Sequence, residues 1–139
     1  MLGSYVELLE SRAAERALVA DRLRTFERHM SEFFGDKTVS IDPREGICIR
    51  TESGDTLAEH QLSSGEFHFL FLMVAALVTR QRGTVIAIDE PEMSMHIAWQ
   101  PKLIEALVDC ASNAHPLFIF ATHSPDLAAS YPDAMIELK

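Results

Sequence analysis

Two acidic residues, Asp89 and Glu90, stand where a short apolar run ends. The run, Val85–Ile88, is rich in β-branched residues and predicts a short buried strand. Pro91 prevents that strand from continuing as a paired ladder. Ligands of open α/β sheets bind at the carboxyl ends of parallel strands. The two carboxylates are therefore predicted to lie where such a sheet carries its chemistry.

A second apolar run, Leu117–Ala121, ends in the polar segment Thr122–Pro125, which contains His123. A helical segment separates the two runs, so the order strand, helix, strand predicts one βαβ unit. The strands of such a unit are parallel. We therefore expect Asp89, Glu90 and His123 to lie on the same rim of the sheet.

A third group of candidate residues opens the longest apolar segment of the chain. Ser63 and Glu66 have the spacing of a capping box, which predicts a helix that runs through Val78. Its amino end would present Ser63, Ser64 and Gly65 together with free backbone N–H groups, which form a ready anion site. An ordinary cap on a core helix fits the same residues equally well. Because the segment is apolar almost all round, we expect this helix to be buried.

The remaining segments form the elements that position these groups. Tyr5 to about Phe34 has apolar residues at a helical period and predicts one long helix. Thr38–Ile41 and Ile47–Ile49 alternate as two strands around a turn that contains Pro and Gly. Ala134–Leu138 is typical of a last strand. We divide the single domain into a long helix over residues 1–36, a small antiparallel β element over 37–62 and an α/β unit over 63–139.

Composition limits the classes of function. The chain has 139 residues, which suffice for one domain. Its net charge of −9 argues against binding nucleic acid by bulk electrostatics, since phosphate contacts require clustered Lys and Arg. The longest apolar run, which begins at Phe69, falls well short of the ~20 residues that span a bilayer, so we expect no membrane association. Cys48 and Cys110 match no metal or redox spacing, which favours a reducing compartment and a cytoplasmic location.

Taken together, the segments resemble the carboxy-terminal half of an ATP-binding-cassette type ATPase domain of the RecF, SMC and OLD-nuclease kind. The resemblance covers roughly Leu57 to Leu138 and depends on four motifs in the order of that family. Residues 62–66 (LSSGE) resemble the LSGGQ signature, residues 85–90 a Walker B strand, residues 90–100 the D-loop run DEPExxLHPxxQ, and residues 121–125 (ATHSP) the switch-histidine loop. Ser64, Glu66 and Ile97 depart from the usual residues. The implied fold is α/β: a partial P-loop NTPase with a parallel sheet and flanking helices.

The resemblance also implies a role for each candidate residue. Asp89 would hold Mg²⁺ through water, and Glu90 would orient and deprotonate the attacking water. His123 would contact that water and the γ-phosphate of ATP. Ser63 and Gly65, with Ser64 between them, would close over a γ-phosphate held by an opposing subunit. Phosphoryl transfer depends mainly on positioning and charge neutralisation, which these residue types provide.

The phosphate-binding loop GxxxxGK[ST] is absent from the sequence. The nearest segment, Gly35–Thr38, has its Lys one place late and Met30 where the first Gly belongs. The strand before that loop and the glutamine loop are missing too. We therefore expect half an active site, inactive as an isolated chain, that binds and hydrolyses ATP in a homodimer or heterodimer completed by a Walker A-bearing chain or a missing amino-terminal half. Nucleic acid would be reached through a larger complex.

Two other functions fit the same residues. A metal-dependent nuclease or phosphodiesterase would use hard-metal ligands, and five residues have suitable side chains: Asp89, Glu90, Glu92, His96 and His123. A non-catalytic dimerisation module would retain a degenerate ATPase fold. In every case the edge of Leu117–Ala121 would be bare without the missing strand, so we expect Met135–Leu138 or a second chain to cover it.

Overall fold

The computed structural model describes the backbone of residues 2–136 and the side chains of residue 7 and residues 10–136. Helices and strands follow one another as a mixed α/β fold. Their order is α1 (Leu2–Phe34), β1 (Lys37–Asp42), β2 (Gly46–Thr51), β3 (Thr56–Leu57), α2 (Ser64–Val78), β4 (Val85–Asp89), α3 (Gln100–Cys110), β5 (Leu117–Ala121) and α4 (Pro125–Ser130). Short 3₁₀ helices lie at Glu59–Gln61, Ile97–Trp99 and Pro132–Ala134.

Helix α1 confirms the predicted long amino-terminal helix. Its 33 residues correspond to a rod of roughly 50 Å at about 1.5 Å per residue. Phe26, Met30 and Phe33 near its carboxyl end are buried, whereas residues 11–19 are all exposed. The helix ends at Phe34, and the following Gly35 has a φ of +63°, the left-handed cap conformation that glycine adopts without strain. Only the second half of α1 therefore belongs to the core, and the first half projects from it.

The small antiparallel element has the order β1-β2-β3 and confirms the two predicted strands. Register runs from Lys37 opposite Thr51 to Asp42 opposite Gly46. The Asp42 carboxylate closes the intervening turn by accepting hydrogen bonds from the backbone N–H groups of Arg44 and Glu45. This element packs on α1.

Strands β4 and β5 are parallel, which confirms the predicted βαβ unit. Val85 pairs with Leu117 at one end, and Asp89 pairs with Ala121 at the other. Helix α3 connects the strands, and its Leu103 and Leu107 are buried in the core. The inward side chains of the sheet are partly buried and pack against this core. The unit therefore has one covered face.

The other face of this sheet is exposed, so the prediction of fully buried strands was wrong. Side chains of a strand alternate between faces, and exposure alternates along both strands in the same way. Val85 and Ile119 are exposed, as is Leu117 at 60%. Within residues 2–136 no element covers that face.

Helix α2 also differs from the expectation of complete burial. Phe69, Leu72 and Met73 lie in the core, but Phe67, Phe71 and Val78 form an exposed apolar stripe, with Phe71 exposed by 62%. Helices α1 and α3 pack against α2 but leave this stripe uncovered. The sequence of α2 is apolar on all sides, but the burial of each side depends on which neighbouring elements are present.

The predicted last strand is wrong where the structure describes it. Ala134 ends a 3₁₀ helix that begins at Pro132, whose fixed φ and missing N–H favour a helical turn over a strand. Met135 and Ile136 are exposed and do not pair with β5. The rest of that prediction, residues 137–138, lies outside the described residues. Within the described chain, the parallel sheet consists of β4 and β5.

An aromatic cluster joins the helices. The rings of Phe33 and Phe69 stack with centroids 4.1 Å apart, and Trp99 lies 5.8 Å from Phe69. Arg22 of α1 adds a polar link by donating hydrogen bonds to the backbone carbonyls of Leu77 and Thr79 at the carboxyl end of α2. No helix of the described residues is long and apolar enough to cross a membrane.

Candidate functional site

The carboxyl rim of the β4–β5 sheet carries the predicted acidic and imidazole groups. Asp89 is level with Ala121, and the Glu90 backbone N–H donates to the Ala121 carbonyl at 2.7 Å. This bond extends the ladder by one step, so the chain leaves both strands at the same level. Asp89, Glu90 and His123 are therefore placed on one rim, as the sequence predicts.

Glu90 has a backbone conformation that is rare for a residue with a side chain. Its φ is +47°, in the left-handed region. Such conformations cost of order 1–3 kcal/mol and concentrate at functional sites. The side chains of Asp89 and Glu90 make no hydrogen bond or ion pair with any described residue. Both carboxylates are thus available to a ligand, and Asp89 is of the type that could hold Mg²⁺.

The amino end of α2 forms the second part of the site. Ser63 Oγ accepts from the Glu66 N–H at 3.3 Å, and the Ser63 N–H donates to Glu66 Oε2 at 2.8 Å, which confirms the predicted capping box. The backbone N–H groups of Ser64 and Gly65 donate to no described residue. A cleft of about 350 Å³ lies at this helix end and is lined by Ser63, Gly65, Glu66, Ser94, Met95, His96 and Trp99.

Gly65 packs directly on the loop that follows β4. A Cβ atom at this position would lie 2.3 Å from the Ser94 carbonyl oxygen, which is closer than any real contact. Ser94 itself has a φ of +63°. The sequence predicts a phosphate contact for Gly65, but the structure also requires glycine there for this approach of two backbones. The loop therefore links the amino end of α2 to the rim that begins at Glu90.

Lys37 supports this helix end and was not predicted to be part of the site. Its Nζ lies 2.8 Å from Glu66 Oε1 and 2.9 Å from Asp36 Oδ1, and the Lys37 and Glu66 side chains are only 15% and 13% exposed. The hydrogen bond to Glu66, followed by that to Asp36, raises the pKa of Lys37 above its usual 10.5. Burial acts to raise the pKa of Glu66, but hydrogen bonds with Lys37 and Ser63 outweigh it and hold that pKa below 4.5.

Replacing Lys37 with Met should lower the free energy of unfolding by about 1–3 kcal/mol at pH 7, because the largely buried Glu66 carboxylate loses a charged partner. In the unmodified chain, the contribution of Glu66 is complete above about pH 4.5 and is lost as pH falls through its lower folded pKa. The contribution of Lys37 is complete below about pH 10.5 and is lost as pH rises through its higher folded pKa.

Urea unfolding at several pH values measures both effects. The exposed Lys102 gives a matched control, and Lys102→Met should change stability by no more than about 0.5 kcal/mol. Equal stability of Lys37→Met and the unmodified chain at pH 7 would show that the Lys37–Glu66 pair does not support the helix end.

The five residues of the nuclease alternative do not converge. The Glu92 carboxylate is engaged by hydrogen bonds from Thr122 and Ser124, and His96 Nδ1 accepts from the Ala98 N–H. Among the residues that the structure describes, no three His, Cys, Asp or Glu side chains come together as a metal-binding group. The geometry therefore gives a two-metal nuclease no support.

The α/β architecture, with its parallel strands and acidic rim, is that of a P-loop NTPase-like domain. The sequence model of the family described as "AAA domain, putative AbiEii toxin, Type IV TA system" matches residues 7–129. The chain belongs to this family and is an ATPase-type domain. No curated protein is detectably similar to it in sequence.

Two solved structures share the fold. One comes from "Structural biochemistry of ATP-driven dimerization and DNA stimulated activation of SMC ATPases" and has a TM-score of 0.56 at 14% identity, covering 85% of this chain and 76% of the other. The second is an SmcHead bound to the C-winged helix domain of ScpA, with a TM-score of 0.58 at 14% identity, covering 87% of this chain and 40% of the other. At this identity the similarity concerns the fold alone, and it confirms the resemblance to SMC-like ATPase domains.

Proposed function

We propose that this chain supplies the signature-motif, Walker B and switch-histidine half of an ATPase that hydrolyses ATP with Mg²⁺ once a phosphate-binding loop completes the site. The observation that carries the proposal is the shared rim of β4 and β5, where Asp89 and Glu90 stand beside the loop of His123. Asp89 would hold Mg²⁺, and Glu90 would act as the base for water. His123 would contact the γ-phosphate.

The amino end of α2 would bind a phosphate from a different nucleotide. Its capping Ser63 is exposed, and the N–H groups of Ser64 and Gly65 are unused within the described chain. Helix N-termini of this kind favour anions through their free donors and dipole. This end lies against the Ser94 side of the loop, and no hydrogen bond links it to His123 among the described residues. The resemblance of residues 62–66 to the signature motif supports a role toward the nucleotide of an opposing subunit.

The exposed faces support the need for a complementing half. Parallel sheets are normally covered on both faces, but Val85, Leu117 and Ile119 are exposed on one face of β4–β5. A strand added beside β5 and a helix over this face would bury these residues and bring a phosphate-binding loop to the rim. The half could belong to another chain or to another part of the same protein.

The structural neighbours add a proposal about assembly. The work on SMC ATPases concerns ATP-driven dimerization and DNA-stimulated activation. We infer by analogy that this chain forms a homodimer or heterodimer around ATP and reaches nucleic acid through a larger complex. The net charge of −9 agrees with indirect rather than bulk electrostatic contact.

Calorimetry with Mg-ATP tests the proposal. The isolated chain should show no micromolar binding and no turnover, because the groups that grip the β- and γ-phosphates are absent from its sequence. Complementation with the chain or segment that carries the phosphate-binding loop should restore both. Micromolar binding with turnover by the chain alone would refute the half-site proposal, and dimerisation that ATP does not affect would favour a non-catalytic module.

A further inference from the structure

The carboxylate of Glu92 joins the two loops of the rim. Glu92 Oε1 accepts a 2.5 Å hydrogen bond from Thr122 Oγ1 and a 3.2 Å hydrogen bond from the Ser124 backbone N–H, which also donates to Thr122 Oγ1 at 3.0 Å. Glu92 follows Glu90 by two positions, and Thr122 and Ser124 are the immediate neighbours of His123. One side chain of the loop after β4 thus holds the residues on both sides of the candidate switch histidine.

Further hydrogen bonds connect the loop of His123 to helices α3 and α4. Ser124 Oγ donates to Gln100 Oε1 at 2.5 Å and accepts from the Leu127 N–H at 3.2 Å. Gln100 begins α3 and Leu127 is buried in α4, so the loop of His123 is anchored at two further points. His123 itself is exposed and forms no hydrogen bond with a described residue. Its neighbours are held while its imidazole is left available.

The carboxylate is retained at a cost. Glu92 Oε2 is buried without a hydrogen-bond partner among the described residues, and such an oxygen is unfavourable. Hydrogen bonds to an ionised acceptor are stronger than neutral ones. The favourable interactions of the Glu92 carboxylate therefore come from Oε1, the oxygen that accepts both hydrogen bonds. This pattern is better explained by a role of Glu92 in linking the two loops than by a role in packing.

We propose that Glu92 is a positioning residue, which sets the place of His123 relative to Glu90 by hydrogen bonding to Thr122 and Ser124. The proposal depends on the proposed ATPase function. A water activated by Glu90 and a γ-phosphate contacted by His123 must meet in one geometry, and small displacements of such groups reduce turnover strongly. In this proposal Glu92 acts through the loop of His123 and contacts neither the water nor the phosphate.

The link can be measured on the isolated chain by NMR. Glu92→Ala should accelerate hydrogen exchange of the Ser124 amide about tenfold or more, because the amide loses a carboxylate acceptor and its other acceptor, Thr122 Oγ1, loses the partner that holds it. It should also shift the Cε1–Hε1 resonance of His123, a residue that Glu92 does not contact. Glu92→Gln keeps a carbonyl acceptor and should restore most of the protection. Urea unfolding of both variants separates these local effects from a general loss of stability.

Glu52 provides the matched control. It lies exposed in the turn between β2 and β3 and makes no hydrogen bond with a described residue, so Glu52→Gln should leave the Ser124 exchange rate and the His123 resonance unchanged. In the complete ATPase, Glu92→Ala should reduce kcat at least about tenfold with less than about a twofold change in the KM for ATP, whereas Glu92→Gln and Glu52→Gln should stay near the unmodified value.

The outcomes separate this inference from the proposed function. Unchanged Ser124 exchange and an unmoved His123 resonance in Glu92→Ala would overturn the link. If Glu92→Ala altered Ser124 exchange and the His123 resonance but kept full kcat in an active complex, the positioning role of Glu92 would be overturned. Absence of turnover from the unmodified complex would refute the ATPase, and with it the catalytic purpose of the link, while the exchange data would still decide whether Glu92 holds the loop.

Discussion

Glutamine in place of Glu90 should slow ATP hydrolysis by the complete complex about 10²–10⁴-fold, the usual range for a lost general base. The amide has nearly the same size but cannot take a proton from water. Because the Glu90 side chain forms no hydrogen bond with a described residue, the substitution should change the free energy of unfolding by no more than about 0.5 kcal/mol. Steady-state kinetics and urea unfolding measure the two quantities.

The pattern of kinetic constants distinguishes a base from a binding residue. Glu90→Gln should lower kcat while Mg-ATP binding to the complex persists, since only an interaction of the transition state is removed. Glu52→Gln, an exposed acid in a distant turn, should leave both constants unchanged. Full turnover by Glu90→Gln would assign the base to another group.

Alanine in place of Gly65 should destabilise the chain by about 3 kcal/mol, at the upper end of the usual cost of overpacking. The added Cβ would lie 2.3 Å from the Ser94 carbonyl oxygen and 3.3 Å from the Met95 Cα. Both are backbone atoms, so no side-chain rotation relieves the clash and either α2 or the loop must move. Urea unfolding gives the magnitude.

A neighbouring residue supplies the control for Gly65→Ala. Ser64 is exposed at the first position of α2, and Ser64→Ala should change stability by no more than about 0.5 kcal/mol. Thiol labelling gives an independent measurement, because burial raises the pKa of Cys110 to about 11 and keeps its thiol unreactive until the fold opens. Gly65→Ala should therefore label faster. If Gly65→Ala and Ser64→Ala unfolded and were labelled alike, the loop after β4 would be able to move away from the added Cβ without loss of stability.

The Gly65 result would bear on function as well as on stability. The cleft at the amino end of α2 is lined in part by Ser94 and His96 of the loop after β4. A loop displaced from Gly65 would change this cleft and could alter the rim at Glu90. We therefore expect the complete ATPase to be more sensitive to Gly65→Ala than to Ser64→Ala, even at temperatures where both variants are folded.

The local features of the fold could be predicted from short segments of sequence. The capping box of Ser63 and Glu66 spans four residues, the turn closed by Asp42 is similarly short, and the hydrophobic period of α1 repeats within one helix. The order strand, helix, strand also determined that β4 and β5 are parallel, and so predicted the common rim. In each case the physical cause is a contact between residues near in the chain or a general rule of connection.

Contacts between distant residues could not be predicted in this way. Lys37 meets Glu66 across 29 positions, and Glu92 meets Thr122 across 30. A side chain gives no sign of which of many possible partners it will face, because that choice depends on the packing of whole elements. The roles of Asp89, Glu90 and His123 stay predictions, whereas their common location is a feature of the fold.

Burial separates most clearly what the sequence determines from what the tertiary structure decides. The residues of α2, β4 and β5 are apolar on nearly every side, so the sequence determined that these segments can be buried. Only the tertiary structure decided that Phe71 and Leu117 are exposed, because burial requires a second surface and the described elements cover one side of each. Local chemistry selects the secondary structure and the types of residue in the site, whereas the arrangement of distant elements decides which of those residues are enclosed, linked or open to a partner.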